Sequence, residues 1–233
     1  MTRRQESVLI VGAGPGLSAS FARLCAADGM AVTVAARQAD KLSDMAGETG
    51  ATARQCDASN PASVDALFEA AIAEHGVPDL VLYNPSYRAR GAITEINREE
   101  VLKALMISCY GGFLVGQKAA QVMLSRGSGS IQFTGASASV KGYPQSASFA
   151  MGKFGLRGLA QSMARELHPK GIHIAHFVID GGISKGANDP RNDRGENGLL
   201  NPDAIAETYL QVHKQHRSTW AWEVELRPWV EKF

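Results

Sequence analysis

The sequence has no surplus of charge of either sign, no long hydrophobic run and only three cysteines. Lysine and arginine total 24 against 23 for aspartate and glutamate, which provides no basic surface for nucleic acid or for an anionic membrane. The cysteines are dispersed and lack the spacing of a zinc site. The first apolar run, residues 8–11, is too short for a signal peptide, and no run reaches a membrane span. We therefore expect a cytoplasmic protein with no metal, nucleic-acid or membrane partner.

What the sequence does contain is a regular alternation of apolar runs and amphipathic stretches. SVLIVG, residues 7–12, is a continuous apolar run that ends in glycine, which is typical of a buried parallel strand. In the next stretch Leu17, Phe21, Leu24 and Cys25 fall on one helical stripe. The alternation continues to GIHIAHFVID, residues 171–180. It predicts one α/β domain over residues 1–233, a Rossmann-type doubly wound parallel sheet with helices on both faces.

The first strand–helix turn, VGAGPGLS, is rich in glycine. Gly12, Gly14 and Gly16 allow the backbone to approach a phosphate, and the helix that follows aims its amide groups at the same place. Pro15 suits the first turn of that helix. The spacing is not G-x-G-x-x-G, because Leu17 occupies the third glycine position. A phosphate site and an ordinary glycine turn are both compatible with this stretch, and its place before the first helix favours the phosphate site.

Over nearly its whole length the chain resembles the short-chain dehydrogenase/reductase family. Four stretches carry the resemblance: VGAGPGLS, CDAS, LVLYNPS and FAMGKFGLRGLAQSMAREL. In the first stretch Gly12, Gly16 and Leu17 match the family's cofactor-binding turn, whereas Ser18 replaces its last glycine. The resemblance implies a dinucleotide cofactor, with Asp57 and the adjacent Ala58 near the adenine and Asn84 at the position of a family asparagine. VIDGGIS stands where the family has P-G-x-I/V, so the resemblance places Gly181 and Ile183 near the nicotinamide, with Asp180 in place of the proline.

The residues after the second strand bear on the choice of cofactor. A carboxylate there would hold a ribose diol and repel a 2′-phosphate. Ala35 and Ala36 are neutral and Arg37 is cationic, and a guanidinium can fork onto a phosphate. We therefore expect NADP(H) in preference to NAD(H). The alternative is that Arg37 is a solvated surface residue.

The stretch FAMGK differs from the family at its reactive position. In the family a tyrosine exchanges the proton with the substrate oxygen. A lysine four residues later lowers the pKa of the tyrosine and binds the nicotinamide ribose, a serine holds the substrate oxygen and an asparagine supports the lysine. Here Lys153 is retained, whereas the other three positions are occupied by Phe149, Ala136 and Ser108. Loss of a general acid typically costs about 10²–10⁴-fold in rate, so the usual carbonyl reduction cannot proceed in its usual form.

Two hypotheses follow from these changes. In the first, the chain is an oxidoreductase on a small carbonyl or alcohol, with Tyr143 or bound water as the proton donor and Ser137 as a hydrogen-bond donor to the substrate. An enoyl-type reductase is disfavoured, because its tyrosine position is Ser146. In the second, the chain binds NADP(H) without turnover, as a redox sensor or as the subunit of an active partner.

Two further expectations concern the loop and the assembly. Residues 184–198 are polar and rich in Gly, Asn and Asp, with no helical period, and they occupy the place of the family's substrate-covering loop. We expect a mobile lid there. The resemblance also implies a homodimer or homotetramer formed through the long helices. The aromatic stretch from Trp220 onward is expected to pack on the body of the protein or on a neighbouring subunit.

Overall fold

The structure is a computed structural model, and it describes residues 4–186 and 188–231. Its centre is one seven-stranded sheet in the order β3-β2-β1-β4-β5-β6-β7, and every neighbouring pair of strands is parallel. The strands are β1 Ser7–Val11, β2 Ala31–Ala36, β3 Thr52–Gln55, β4 Leu80–Tyr83, β5 Gly129–Thr134, β6 Ile172–Ile179 and β7 Glu223–Leu226. The helices are α1 Leu17–Ala27, α2 Ser43–Thr49, α3 Pro61–His75, α4 Arg98–Leu105, α5 Gly111–Leu124, α6 Ala147–Leu167 and α7 Pro202–His213.

The hydrophobic core lies in two layers, one on each face of the sheet. Side chains alternate across a strand, so Val8 and Ile10 of β1 belong to the layer that contains α1 and α7. Leu9 and Val11 belong to the layer that contains α3, α5 and α6. The strand order reverses between β1 and β4, which is where ligands bind in such sheets. The predicted doubly wound fold is confirmed.

Helices α4 and α5 are joined without a break by a π-helical segment, Met106–Tyr110. Helix α6 packs closely against this segment through two glycines. A β-carbon on Gly152 would lie 2.8 Å from the β-carbon of Ser108, and one on Gly155 would lie 2.7 Å from Cys109 Sγ. The segment therefore fixes the depth of Ser108 beneath the helix that carries Phe149.

The last third of the chain contains two elements that the sequence analysis did not assign. Helix α7 begins after Asn201, whose side chain accepts a hydrogen bond from Asp203 N. Strand β7 pairs with β6 and completes the sheet. The aromatic stretch packs on the body only in part. Trp220 stacks on His173 with ring centroids 4.7 Å apart, whereas Trp229 is 78% exposed.

Within the described residues, no helix has the length and the apolar character needed to cross a membrane. The same residues hold no group of three or more histidine, cysteine, aspartate or glutamate side chains arranged to bind a metal ion.

Candidate nucleotide and substrate site

The glycine turn after β1 has a conformation that side chains would not permit. Gly12 and Gly16 have φ angles of +83° and +89°, in the left-handed region that favours glycine. The N–H of Gly12 donates to the carbonyl of Ala35 at 2.9 Å. A β-carbon on Gly12 would lie 2.5 Å from the backbone nitrogen of Pro85. The turn is thus held against both neighbouring strand ends.

Asn84 braces this turn from behind. Its backbone N–H donates to Val11 O at 2.9 Å, and its side-chain amide donates to Ser18 Oγ at 2.7 Å. The Ser18 hydroxyl in turn donates to Gly12 O at 3.3 Å. Ser18 occupies the position of a family glycine, so this chain replaces a small residue with one link of a hydrogen-bond chain.

A cleft of about 690 Å³ opens at the carboxyl ends of β1, β2, β3 and β4. Most of the residues predicted to bind the cofactor line it: Gly12, Gly14, Pro15, Arg37, Asp57, Ala58 and Asn84. Gly16 and Leu17 lie at the start of α1, outside the lining. Three further predicted residues also lie outside the lining of the cleft, on the side toward β5 and β6: Lys153, Gly181 and Ile183.

The two predicted charged residues lie on different walls of the cleft. Arg37 is exposed after β2, and Lys41 also lines this wall. Asp57 follows β3 and accepts hydrogen bonds from the Ser59 hydroxyl at 2.7 Å and the Ser59 N–H at 3.0 Å. These bonds lower the pKa of Asp57, although partial burial opposes them. Asp57 is therefore a fixed carboxylate acceptor.

Lys153 is buried on α6, with 2% of its surface exposed. Its ammonium donates to Thr134 O at 2.7 Å and lies 6.0 Å from the centroid of the Phe149 ring, one helical turn earlier. Burial lowers the pKa of Lys153 to about 8. The described residues provide it with no carboxylate partner, so the charge of Lys153 is not compensated within them.

The turn after β5 carries Ala136 and Ser137, and here the structure shows an ion cluster. The Ser137 hydroxyl lies near the carboxylate of Asp180 at the end of β6 and helps to lower its pKa. Lys141 Nζ lies 2.9 Å from Asp180 Oδ2, and Arg227 Nη2 lies 3.6 Å from the same oxygen. Burial alone would raise the pKa of Asp180, but the bonds from Lys141 and Ser137 outweigh it and keep the pKa below its usual value. Ser137 therefore lies beside a charged group that is itself held by two cations.

Two other predicted catalytic residues have different surroundings. Ser108 is fully buried, and both of its hydrogen bonds go to Tyr87: the Tyr87 N–H donates to Ser108 Oγ at 3.2 Å, and the hydroxyl donates to Tyr87 O at 3.3 Å. Neither bond reaches Lys153. Tyr143 precedes α6 with 46% of its surface exposed. A catalytic role for either residue stays a prediction.

The sequence analysis missed Arg88. Its Nη2 donates to the buried Ser146 Oγ at 2.7 Å, and its guanidinium carbon lies 5.0 Å from the centroid of the Phe149 ring. The motif LVLYNPS ends at Ser86, two residues before Arg88, so Arg88 lay outside the stretch that was compared with the family. The only signal in the sequence was a cationic residue shortly after the end of the predicted strand.

The remaining predicted residues lie where the chain leaves β6. A β-carbon on Gly181 would lie 2.5 Å from Pro228 Cδ. Ile183 pairs with Leu200 in an isolated parallel bridge. This bridge closes the base of the loop 184–198. Inside the loop, Arg191 donates to the carboxylate of Asp189. The mobility of the loop stays a prediction.

Comparison with known proteins gives the same family as the motifs. The profile described as short chain dehydrogenase matches residues 6–193. The chain belongs to the short-chain dehydrogenase family. A solved short-chain dehydrogenase from Rhodopseudomonas palustris is 36% identical, with a TM-score of 0.84 over 97% of this chain and 100% of that one.

Two other known proteins are similar to this chain at lower identity. The 3-oxoacyl-acyl-carrier-protein reductase MabA of Mycobacterium bovis is 27% identical over 195 residues, which cover 84% of this chain and 76% of that protein. An alcohol dehydrogenase from Thermococcus sibiricus, solved with 5-hydroxy-NADP, is 22% identical with a TM-score of 0.85 over 98% of each chain. The latter likeness shows the fold alone.

Proposed function

We propose that this short-chain dehydrogenase is an NADP(H)-dependent oxidoreductase that acts on a small carbonyl or alcohol and uses a non-standard proton donor. The observation that carries the proposal is the braced glycine turn at the cleft, together with the buried and uncompensated Lys153 on α6. A protein that had lost its cofactor would not need a Gly12 pressed against Pro85, nor a buried ammonium.

The residues present fit the cofactor. The backbone from Gly12 to Gly16 would hold the phosphates, Asp57 would face the adenine and Lys153 would bind the nicotinamide ribose. Arg37 and Lys41 on the cleft wall favour a 2′-phosphate, because no carboxylate ends β2. The Thermococcus sibiricus enzyme that resembles this chain was solved with an NADP derivative, which supports the same cofactor class. When bound, such a cofactor supplies a hydride to a carbonyl carbon or accepts one from an alcohol.

The substrate oxygen must also gain a proton, and Phe149 has none to give. Lys153 is our preferred source of this proton. A general acid works best when its pKa is near the operating pH, and burial lowers the pKa of Lys153 to about 8. Its ammonium would lose a proton to the substrate oxygen, directly or through one water, and would recover it from solvent. Tyr143 is the alternative donor, and Ser137 would donate a hydrogen bond to the same oxygen.

The second candidate function is NADP(H) binding without turnover, as a redox sensor or as the subunit of an active partner. The two groups that are missing at Phe149 and Ala136 favour it.

The test of both functions is NADPH binding, followed by single-turnover oxidation of NADPH with a panel of ketones, aldehydes and quinones. An enzyme oxidises NADPH with at least one compound, and Lys153→Met removes that activity. The opposite result is a wild-type protein that binds NADPH but never oxidises it, together with turnover in Phe149→Tyr. That result would support the second function, NADP(H) binding without catalysis.

The same proposal includes a homodimer or homotetramer formed through α5 and α6. Large apolar side chains are exposed on these helices and on the π-helical segment: Tyr110, Phe113, Met151 and Phe154. Burial of such side chains is a general driving force for association. Light scattering of the purified protein decides between these states and a monomer.

A further inference from the structure

Arg88 lies on a loop that buried serines hold in place from three directions. Ser108 binds the backbone of Tyr87 with both of its hydrogen bonds. The Ser148 hydroxyl donates to Ala89 O at 2.7 Å. Ser146 accepts from the Arg88 side chain itself. All three serines are at most 2% exposed, so the loop is fixed to the interior on either side of Arg88 and at its guanidinium.

The guanidinium is fixed but not neutralised. Arg88 is an exposed residue, and its guanidinium lies over the Phe149 ring. In the described part of the chain the guanidinium forms no ion pair with a carboxylate. Partial burial and the nearby Arg90 lower the pKa of Arg88, which means that its surroundings disfavour the charge. Ser146 uses one of the five N–H groups of a guanidinium, and the others have no acceptor within the described residues.

Two uncompensated cations thus lie close to Phe149, Arg88 at 5.0 Å and Lys153 at 6.0 Å from the ring centroid. By contrast Lys141, on the next loop, is paired with Asp180. A ligand that enters beside Phe149 therefore meets unmatched positive charge. A planar carboxylate is the group that a guanidinium fork binds best.

We propose that the substrate of this enzyme carries a carboxylate and that Arg88 binds it, so that the reaction is the reduction of an oxo acid or the oxidation of a hydroxy acid. The inference rests on the proposed oxidoreductase function. In that reaction the carbonyl carbon gains a hydride from NADPH and the carbonyl oxygen gains a proton, while the carboxylate is unchanged and serves to orient the substrate.

The test compares acids with their neutral esters. Pyruvate, acetoacetate and levulinate are assayed beside methyl pyruvate, methyl acetoacetate and methyl levulinate, with NADPH oxidation as the readout. For the acids that react, kcat/KM is expected to fall about 30-fold or more in Arg88→Gln, with little change for the esters. Arg88→Lys, which keeps the charge and loses the fork, is expected to give an intermediate loss. Arg90→Gln is the matched control and is expected to retain the preference for acids.

A binding measurement separates this inference from the proposed activity. Acetoacetate is titrated by calorimetry into protein saturated with NADP⁺, where no reduction can occur. Binding that Arg88→Gln removes and Arg90→Gln keeps supports the carboxylate site, even if no compound in the panel is turned over. Equal use of acids and esters by wild type, or acetoacetate binding that is unchanged in Arg88→Gln, would overturn it.

Discussion

Gly12 and Pro85 approach so closely that any side chain on Gly12 would enter the backbone of the neighbouring strand end, 2.5 Å from the Pro85 nitrogen. Gly12 also has a positive φ, so Gly12→Ala combines backbone strain with a steric overlap. We expect it to lower the free energy of unfolding by about 2–4 kcal/mol and to weaken NADPH binding. Chemical denaturation measures the first effect and fluorescence titration the second.

Gly14→Ala is the control for that prediction. A β-carbon on Gly14 would have no heavy atom within 4 Å, so the free energy of unfolding is expected to change by less than about 0.5 kcal/mol. Equal losses of stability in the two variants would contradict the role given to the contact between Gly12 and Pro85.

The preference for NADPH over NADH is expected to depend on Arg37. Arg37→Ala removes the guanidinium from the cleft wall, and a charge-assisted hydrogen bond contributes about 1.5–3 kcal/mol. The Kd for NADPH should therefore rise about tenfold or more, while the Kd for NADH stays nearly constant. Fluorescence titrations with both cofactors measure the change. A parallel loss for NADH would mean that Arg37 acts on the fold of the cleft and not on the 2′-phosphate.

The rate of carbonyl reduction is expected to fall as pH rises through about 8. Burial lowers the pKa of Lys153 to about 8, so its ammonium is the main form below that pH and is lost above it. A donor that must be protonated gives a reduction rate that drops about tenfold for each pH unit beyond its pKa. Single-turnover rates measured from about two pH units below this pKa to about two units above it give the profile. Tyr143→Phe should leave the pH profile unchanged. If the fall in rate above about pH 8 disappears in Tyr143→Phe, Tyr143 is the proton donor.

The stability of the protein is expected to decrease between about pH 6.5 and pH 4. His173 and His176 lie on opposite faces of β6 and are buried, and burial lowers the pKa of each from 6.5 to about 4. The unfolded chain takes up these protons near pH 6.5 and the folded chain does not, so acid favours unfolding. Each histidine contributes up to about 1.4 kcal/mol per pH unit in that window.

Unfolding free energies at several pH values, for wild type and His173→Gln, test this origin. The variant should show a shallower dependence on pH, whatever its absolute stability. His216→Gln, at an exposed position, should keep the wild-type slope. An unchanged slope in His173→Gln would place the titrating groups elsewhere.

Local pattern was enough to predict the doubly wound sheet, apart from its last strand β7, and the glycine turn. The apolar run before Gly12 and the helical stripe after it are contiguous in the sequence, so the pattern indicates both the elements and the boundary between them. The π-helical segment around Ser108 was not predictable in this way, because its residues have the same apolar pattern as the helices on either side. Strand β7 carried a signal that was missed, the alternation of Glu223, Val224, Glu225 and Leu226.

The polar parts of the site depend on contacts across the fold. Asp180 was visible as a replacement for a family proline, but its partners Lys141 and Arg227 come from a different loop and from the end of β7. Nothing in the local sequence of either residue indicates the contact. In the same way, the position of Arg88 over Phe149 follows from where β4 ends and where α6 begins, which only the assembled sheet determines.

The loop around Arg88 also has a consequence for redesign of the enzyme. Ser108 and Ser148 bind the main chain of Tyr87 and Ala89, and those bonds do not involve the side chain at position 88. The main-chain support of the loop is therefore independent of the side chain at position 88, and only the bond to Ser146 depends on the guanidinium. If Arg88 binds the substrate carboxylate as inferred above, a library of side chains at position 88 would change the substrate preference while the main-chain bonds to Ser108 and Ser148 remain in place.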